Sequence, residues 1–188
     1  MARRRSKKHG YDFEREVSAS LKLIEESVSQ FWFMKLVDTH SFDKIKVVFE
    51  GKQSPEKLIV PKVPADYLII SRGKPIFIEC KSTKMERWDP VQAIAPHQLD
   101  ASLLLERAGA KYFFAVCDRR KPRKHRMLIF SGKTMRMVCS ILEKRKKNPT
   151  KKKGDSTFTW DELDKYALEI QEKQSGCMWN MEFVVEKE

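Results

Sequence analysis

Val63-Pro-Ala-Asp66-Tyr-Leu-Ile-Ile-Ser71-Arg-Gly-Lys74-Pro-Ile-Phe-Ile-Glu79-Cys-Lys81-Ser-Thr83 decides the reading of this 188-residue chain. Two apolar runs, Tyr67–Ile70 and Ile76–Ile78, flank Ser71-Arg72-Gly73-Lys74, which reads as a tight turn between two strands. A hairpin folded symmetrically about Arg72-Gly73 sets Ser71 against Lys74 and, in the same register, Asp66 against Glu79. Directly opposed strand residues share a face, with Cβ atoms about 5 Å apart. Lys81, two residues beyond Glu79, projects from that face as well. Two carboxylates and an ammonium therefore converge, and two readings follow. In one, a divalent metal offsets the repulsion: Mg²⁺ takes one or two carboxylates and keeps waters and substrate phosphate on its other positions. In the other, the group is a solvated strand face with a surface salt bridge, which carries little energy. A second acid-x-Lys triplet, Glu50-Gly51-Lys52, has glycine at its centre and reads as a turn, whereas Glu79 and Lys81 close an apolar run.

Asp66 followed by Glu79-Cys80-Lys81 at the end of a hydrophobic strand resembles the PD-(D/E)xK nuclease signature, with Ala65 in place of the residue before the Asp. Within that superfamily the chain is most similar to the archaeal Holliday-junction resolvases and, more loosely, to the RecU-type resolvases. Gly10-Tyr-Asp-Phe-Glu14-Arg15-Glu16 resembles the opening of the first resolvase helix, with Glu14 at the position of an active-site Glu. Ile78-Glu79-Cys80-Lys81-Ser82-Thr83 resembles the resolvase strand and its hydroxyl-bearing exit, and Pro96-His97-Gln98-Leu99 the start of the next helix, where some relatives carry a functional Gln. The likeness spans about residues 8 to 118. It implies a restriction-endonuclease-like α/β core, a central mixed sheet flanked by helices, and a homodimer cutting DNA in symmetric pairs. It implies Mg²⁺, with Mn²⁺ as a substitute, held by Asp66, Glu79 and the Cys80 carbonyl. Lys81 would stand beside the attacking water, Glu14 would add a ligand or orient water, and Gln98 would join the catalytic set. About fifty residues separate Glu14 from Asp66, more than the short archaeal enzymes need, so residues 38–62 are expected to be an insertion.

Composition agrees with a nucleic-acid partner. Net charge is +12, from 38 Lys and Arg against 26 Asp and Glu, and it is clustered. Arg3, Arg4, Arg5, Lys7 and Lys8 form a basic arm over residues 1–9, expected to be flexible. Arg119, Arg120, Lys121, Arg123, Lys124 and Arg126 form a second cluster, and Lys144 to Lys153, with Lys151, Lys152 and Lys153, a third within a basic loop at 145–157. Such patches bind phosphate through counterion release without reading sequence; the alternative for each is a solvated loop. Cys80, Cys117, Cys139 and Cys177 sit apart inside apolar segments, with no zinc-type spacing, and read as reduced, buried residues of a cytoplasmic protein. No apolar stretch of signal-peptide or membrane-span type occurs. There is no glycine-rich phosphate loop either, so no nucleotide cofactor is expected.

Residues 10–188 read as one domain. Phe13, Val17, Leu21, Ile24 and Val28 recur at helical spacing and predict a helix over 11–29. Strands are predicted at 31–37, 45–49, 66–71, 74–81, 111–118, 127–130 and 177–185. Helices are predicted from Pro96 to Ala108, with a stop at Gly109, over 134–144, and over 161–174, the last begun by a capping box at Thr159-Trp-Asp-Glu162. His97 reads as a surface or cap histidine, His40 and Asp43 as loop residues, and Phe31-Trp32-Phe33 as core rather than a base-stacking platform. The overall expectation is a metal-dependent DNA endonuclease, most similar to a junction resolvase. Its alternatives are a restriction- or repair-like duplex endonuclease and a non-catalytic DNA-binding module on the same scaffold.

Overall fold

The structure, a computed structural model, describes residues 3–36, 63–121, 124–148, 156–173 and 178–185, with the backbone alone for 3–11 and 173. The elements run α1 (Arg3–Ser27), β1 (Phe31–Lys35), β2 (Tyr67–Ser71), β3 (Lys74–Thr83), β4 (Arg87–Trp88), α2 (Pro90–Ala93), α3 (Pro96–Arg107), β5 (Lys111–Lys121), β6 (Lys124–Ser131), α4 (Gly132–Lys147), β7 (Phe158–Thr159), α5 (Trp160–Asp164) and β8 (Glu169–Lys173), with a 3₁₀ turn at Glu182–Val184. Six strands form one sheet in the order β1-β2-β3-β5-β6-β8, and β4 pairs with β7 in a second. The β3–β5 pair is parallel and the other neighbours in the large sheet are antiparallel. A parallel pair needs a crossover, and α2 and α3 supply it. This is the expected α/β class, a central mixed sheet flanked by helices.

Strand alternation divides the core between two faces. On one, Tyr67, Ile69, Ile76, Ile78 and Cys80 pack under Phe13, Val17 and Leu21 of α1, with Trp179, Met181 and Val184 from the chain's end. On the other, Tyr112, Phe114, Val116, Leu128 and Phe130 meet Met135, Val138 and Leu142 of α4, and Phe158, Trp160 and Leu163. Every one of these aromatic and aliphatic groups is nearly or wholly excluded from water, the condition under which apolar area contributes its full driving force. In the turn after β2, Arg72 and Gly73 both take positive φ, the backbone of the two-residue hairpin loop that matches strand twist. Gly109, at φ 89, ends α3 in a Schellman motif: its N–H reaches the Glu106 carbonyl and that of Ala110 the Leu105 carbonyl.

Several elements depart from expectation. α1 begins at Arg3, so the stretch expected to be a flexible arm carries helical backbone. The helix predicted over 161–174 stops at Asp164 although its capping box forms, Thr159 Oγ1 accepting from the Glu162 N–H. Leu168 N–H then bonds the Ile129 carbonyl and residues 169–173 join β6 as the edge strand β8: sheet pairing overrides local helical spacing. The strand predicted at 177–185 is absent from 178–185, where Trp179, Met181 and Val184 cap the first core instead. α4 runs to Lys147, beyond the predicted 144, so residues 145–147 of the expected basic loop form its last turn. Phe31 is buried but Trp32 is 48% exposed, because β1 alternates its faces. The predicted strand at 45–49, the whole of the proposed insertion at 38–62, with His40, Asp43, Glu50 and Lys52, and Cys177 lie outside the described residues.

Candidate active site

The hairpin register matches the expectation through Ser71↔Lys74 to Tyr67↔Ile78. It changes at Asp66. The Asp66 N–H bonds the Ile78 carbonyl (3.0 Å), one residue out of step with the ladder. The Cys80 N–H then turns to Asp66 Oδ2 (2.7 Å) rather than to a ladder carbonyl. The symmetric hairpin predicted Asp66 as the ladder partner of Glu79, and it is not; its carboxylate takes over a main-chain acceptor's role at the strand end. Two further bonds fix the segment. The Leu36 N–H donates to the Asp66 carbonyl (2.7 Å), and the Tyr112 hydroxyl donates to the Pro64 carbonyl (2.5 Å).

Glu79 and Lys81 do share a face, Lys81 Nζ lying 2.7 Å from Glu79 Oε1, with side-chain exposures of 23% and 3%. The same oxygen accepts from Gln98 Nε2 (2.6 Å). Gln98 sits in the first turn of α3, begun by Pro96, and its own Oε1 accepts from the Ala95 N–H (3.0 Å). One amide side chain thus caps the helix and holds a buried carboxylate. Burial raises Glu79 to about 7, helped by the Asp66 charge and opposed by Lys81 and Gln98. Burial also raises Asp66, to about 6; the Cys80 N–H and the two lysines, 35 and 81, oppose it and Glu14 adds to it. These are two desolvated acids close enough to repel, the condition under which one ionisation disfavours the other.

Glu14 comes from α1 on the opposite face. Its backbone carbonyl accepts from the Tyr67 hydroxyl (2.6 Å), and its Oε2 lies 2.6 Å from Lys35 Nζ. Lys35 was not singled out by sequence reading, because only the β1–β2 pairing brings a strand-end lysine to this corner. Among the described residues no three His, Cys, Asp or Glu side chains are gathered closely enough to ligate one ion. The acids group as a pair, Asp66 and Glu79, with Glu14 held apart by its lysine.

The second basic cluster divides. Arg119 is 7% exposed, and its Nη2 lies 2.9 Å from Glu16 Oε1, which corrects its expected place on a DNA-binding surface. Glu16 also accepts from the Trp179 indole N–H (3.1 Å). Arg120 is held by Asp118 (2.8 Å) and Glu86 (3.0 Å) and lies over the Trp160 ring. Arg126 pairs with Asp164 at 2.7 Å. These guanidiniums tie the hairpin to its neighbours. Lys121 and Lys124 pair across the end of the β5–β6 hairpin and are exposed. In the third cluster, Arg145 bonds Glu162 and lies over Phe158, and Lys146 reaches Asp89. The side chains of Arg3, Arg4, Arg5, Lys7 and Lys8, and all of Arg123, Lys151, Lys152 and Lys153, lie outside the described residues. Cys80, Cys117 and Cys139 are buried thiols that form no disulfide. No helix among the described residues is long and apolar enough to cross a membrane.

No protein-family model matches the chain, and the comparison with curated proteins gives no match. Among solved structures, Hjc, a Holliday junction resolvase from the archaeal hyperthermophile Archaeoglobus fulgidus, aligns with 15% identity over 65% of this chain and 76% of that one, at a TM-score of 0.40. That is a loose likeness.

Proposed function

We propose that this protein is a metal-dependent endodeoxyribonuclease that cuts branched DNA as a crossover-junction resolvase. One observation carries the reading: a buried Glu79 and a half-buried Asp66 repel each other with their acidities suppressed, and Lys81 stands on Glu79. Two desolvated acids that repel each other are costly without a cation. The donors fit Mg²⁺, or Mn²⁺ in its place, since the Asp66 and Glu79 carboxylates and the Cys80 carbonyl are hard oxygens. Such an ion, when bound, polarises a phosphoryl oxygen and lowers the pKa of a bound water. The protein supplies the rest. Gln98 and the Cys80 N–H orient the two carboxylates, and Lys81 offsets charge gathering on the phosphate or orients the water. Glu14 joins as an outer acceptor. Lys121 and Lys124 contact phosphate, together with Arg3, Arg4, Arg5, Lys7, Lys8, Arg123, Lys151, Lys152 and Lys153. Two symmetric cuts across a two-fold junction call for a homodimer.

The test is incubation with end-labelled four-way junction, fork and duplex of matched sequence, in Mg²⁺ or EDTA. Paired, symmetric cleavage of the junction in Mg²⁺ alone is expected. Equal cutting of duplex would replace the resolvase reading by a restriction- or repair-like one. Binding without cleavage in Mg²⁺ or Mn²⁺ would make the protein a DNA-binding module.

A further inference from the structure

Among the described residues the site contains two ammoniums, and they differ. Lys81 pairs with Glu79, a carboxylate with 3% exposure, whereas Lys35 pairs with Glu14 where the two side chains are 40% and 25% exposed. Lys35 ends the edge strand β1 opposite Tyr67, and the next residue, Leu36, donates its N–H to the Asp66 carbonyl. The Tyr67 hydroxyl in turn holds the Glu14 carbonyl. The backbones carrying Lys35, Glu14 and Asp66 are therefore tied to one another, and the Lys35 side chain, paired with an acid from a distant helix, is near enough to Asp66 to act on its charge.

We infer that Lys35 is the built-in counter-ion of Glu14, which a divalent cation must displace before this third carboxylate can serve the site. The inference rests on the proposed metal reading. Three acids and two lysines leave a small net charge without metal, and the Lys35–Glu14 pair is the weaker link, since exposed ion pairs are worth little. A lysine ammonium on a flexible stem withdraws without disturbing the backbone. The Lys81–Glu79 pair, desolvated at the acid and joined by Gln98, holds its place. Lys35 is then a positioning residue that sets the affinity for metal. Once released, its ammonium is at the exposed edge of the site, where a DNA phosphate approaches.

The experiment is calorimetric titration of the full chain with Mn²⁺ alone, without DNA, for wild type, Lys35→Met, Lys35→Arg, Glu14→Gln, Glu79→Ala and the Lys35→Met/Glu14→Gln double variant. Lys35→Met should bind Mn²⁺ roughly three- to fivefold tighter than wild type, the scale of an exposed ion pair. Lys35→Arg should match wild type. In the Glu14→Gln background most of that gain should vanish, because the coupling runs chiefly through that carboxylate, leaving only the weaker pull of Lys35 on Asp66. Loss of a merely structural lysine would weaken binding or leave it unaltered. Unchanged or weaker binding by Lys35→Met, with wild type binding and Glu79→Ala not, overturns the inference and spares the metal site. Tightening that is undiminished in Glu14→Gln overturns it as well. Absence of Mn²⁺ binding in wild type overturns the metal reading itself.

Discussion

Replacing Glu79 by Gln should stabilise the metal-free protein at alkaline pH, although the residue stands at the centre of the candidate site. Its carboxyl is raised from an ordinary 4.5 to about 7, chiefly by burial and then by Asp66. For an acid raised in the fold, the charged form is the disfavoured one. Wild-type stability therefore falls as pH climbs from about 4.5, and the full penalty is present above about 7. At about 1.36 kcal/mol per pH unit, the rise from 4.5 to about 7 corresponds to roughly 3 kcal/mol. Little of it is lost to solvent screening, the side chain being 3% exposed. Gln keeps an oxygen for Lys81 and Gln98 but cannot ionise. For a chain of this length about 3 kcal/mol corresponds to roughly 6–12 °C in Tm, as an upper limit. Thermal melts in EDTA at pH 4.5, 6 and 8 should show Glu79→Gln level with wild type at the first and several degrees above it at the last. Adding Mn²⁺ should raise the wild type, by about 2.7 kcal/mol at a hundredfold excess over Kd, and leave the variant unmoved. A gap that does not grow with pH, or a variant less stable than wild type at pH 8 in EDTA, would refute the electrostatic account of the site.

Lys81→Ala should cut the cleavage rate by about a hundredfold or more while junction affinity stays within about twofold in gel shifts; a matching loss of affinity would make Lys81 a phosphate contact. Gln98→Ala removes a bond to a buried carboxylate and a helix-start acceptor, and should lower stability by about 1–3 kcal/mol in urea unfolding, with weaker Mn²⁺ binding; unaltered stability would mean the Gln98–Glu79 bond is not formed in solution. The arginines and lysines of the β5–β6 hairpin should separate cleanly. Arg119→Ala should lower Tm by several degrees, because it leaves Glu16 without its buried partner, whereas Lys121→Ala/Lys124→Ala should leave Tm alone and reduce the salt slope of DNA binding by about 2. A reversal of that pattern would return Arg119 to the DNA surface.

How much of this was legible in the sequence follows from the range of the forces involved. The hairpin turn at Arg72-Gly73, the shared face of Glu79 and Lys81, the buried stripe Phe13-Val17-Leu21, the stop at Gly109 and the capping box at Thr159 are set by φ/ψ preference and side-chain periodicity over a few residues. Each was readable and each is present. The α/β class was readable too, because apolar runs and helical spacing alternate along the chain. Periodicity failed where a distant partner competed for the same backbone. Leu163, Tyr166, Ala167 and Ile170 have helical spacing, yet β6 offers an open edge and takes residues 169–173 as β8. Asp66 leaves its hairpin register, and its own carboxylate accepts from the Cys80 N–H in place of a ladder carbonyl.

The sequence by itself determined the parts of the site: an acid before one strand, an acid and a lysine ending the next, a glutamine opening a helix, an acid early in the first helix. Tertiary structure decided which of them meet and what state they are in. Gln98 reaches Glu79 across 19 residues of chain, Glu14 meets Lys35 across 21, and Glu16 binds Arg119 across 103. The fate of the basic residues was decided there as well. A run of arginines has the same composition whether it faces phosphate or a half-buried glutamate, and only packing settles which. The suppressed acidities of Asp66 and Glu79 belong to the fold alone, because desolvation is a property of what surrounds a carboxylate and no spacing in the chain encodes it.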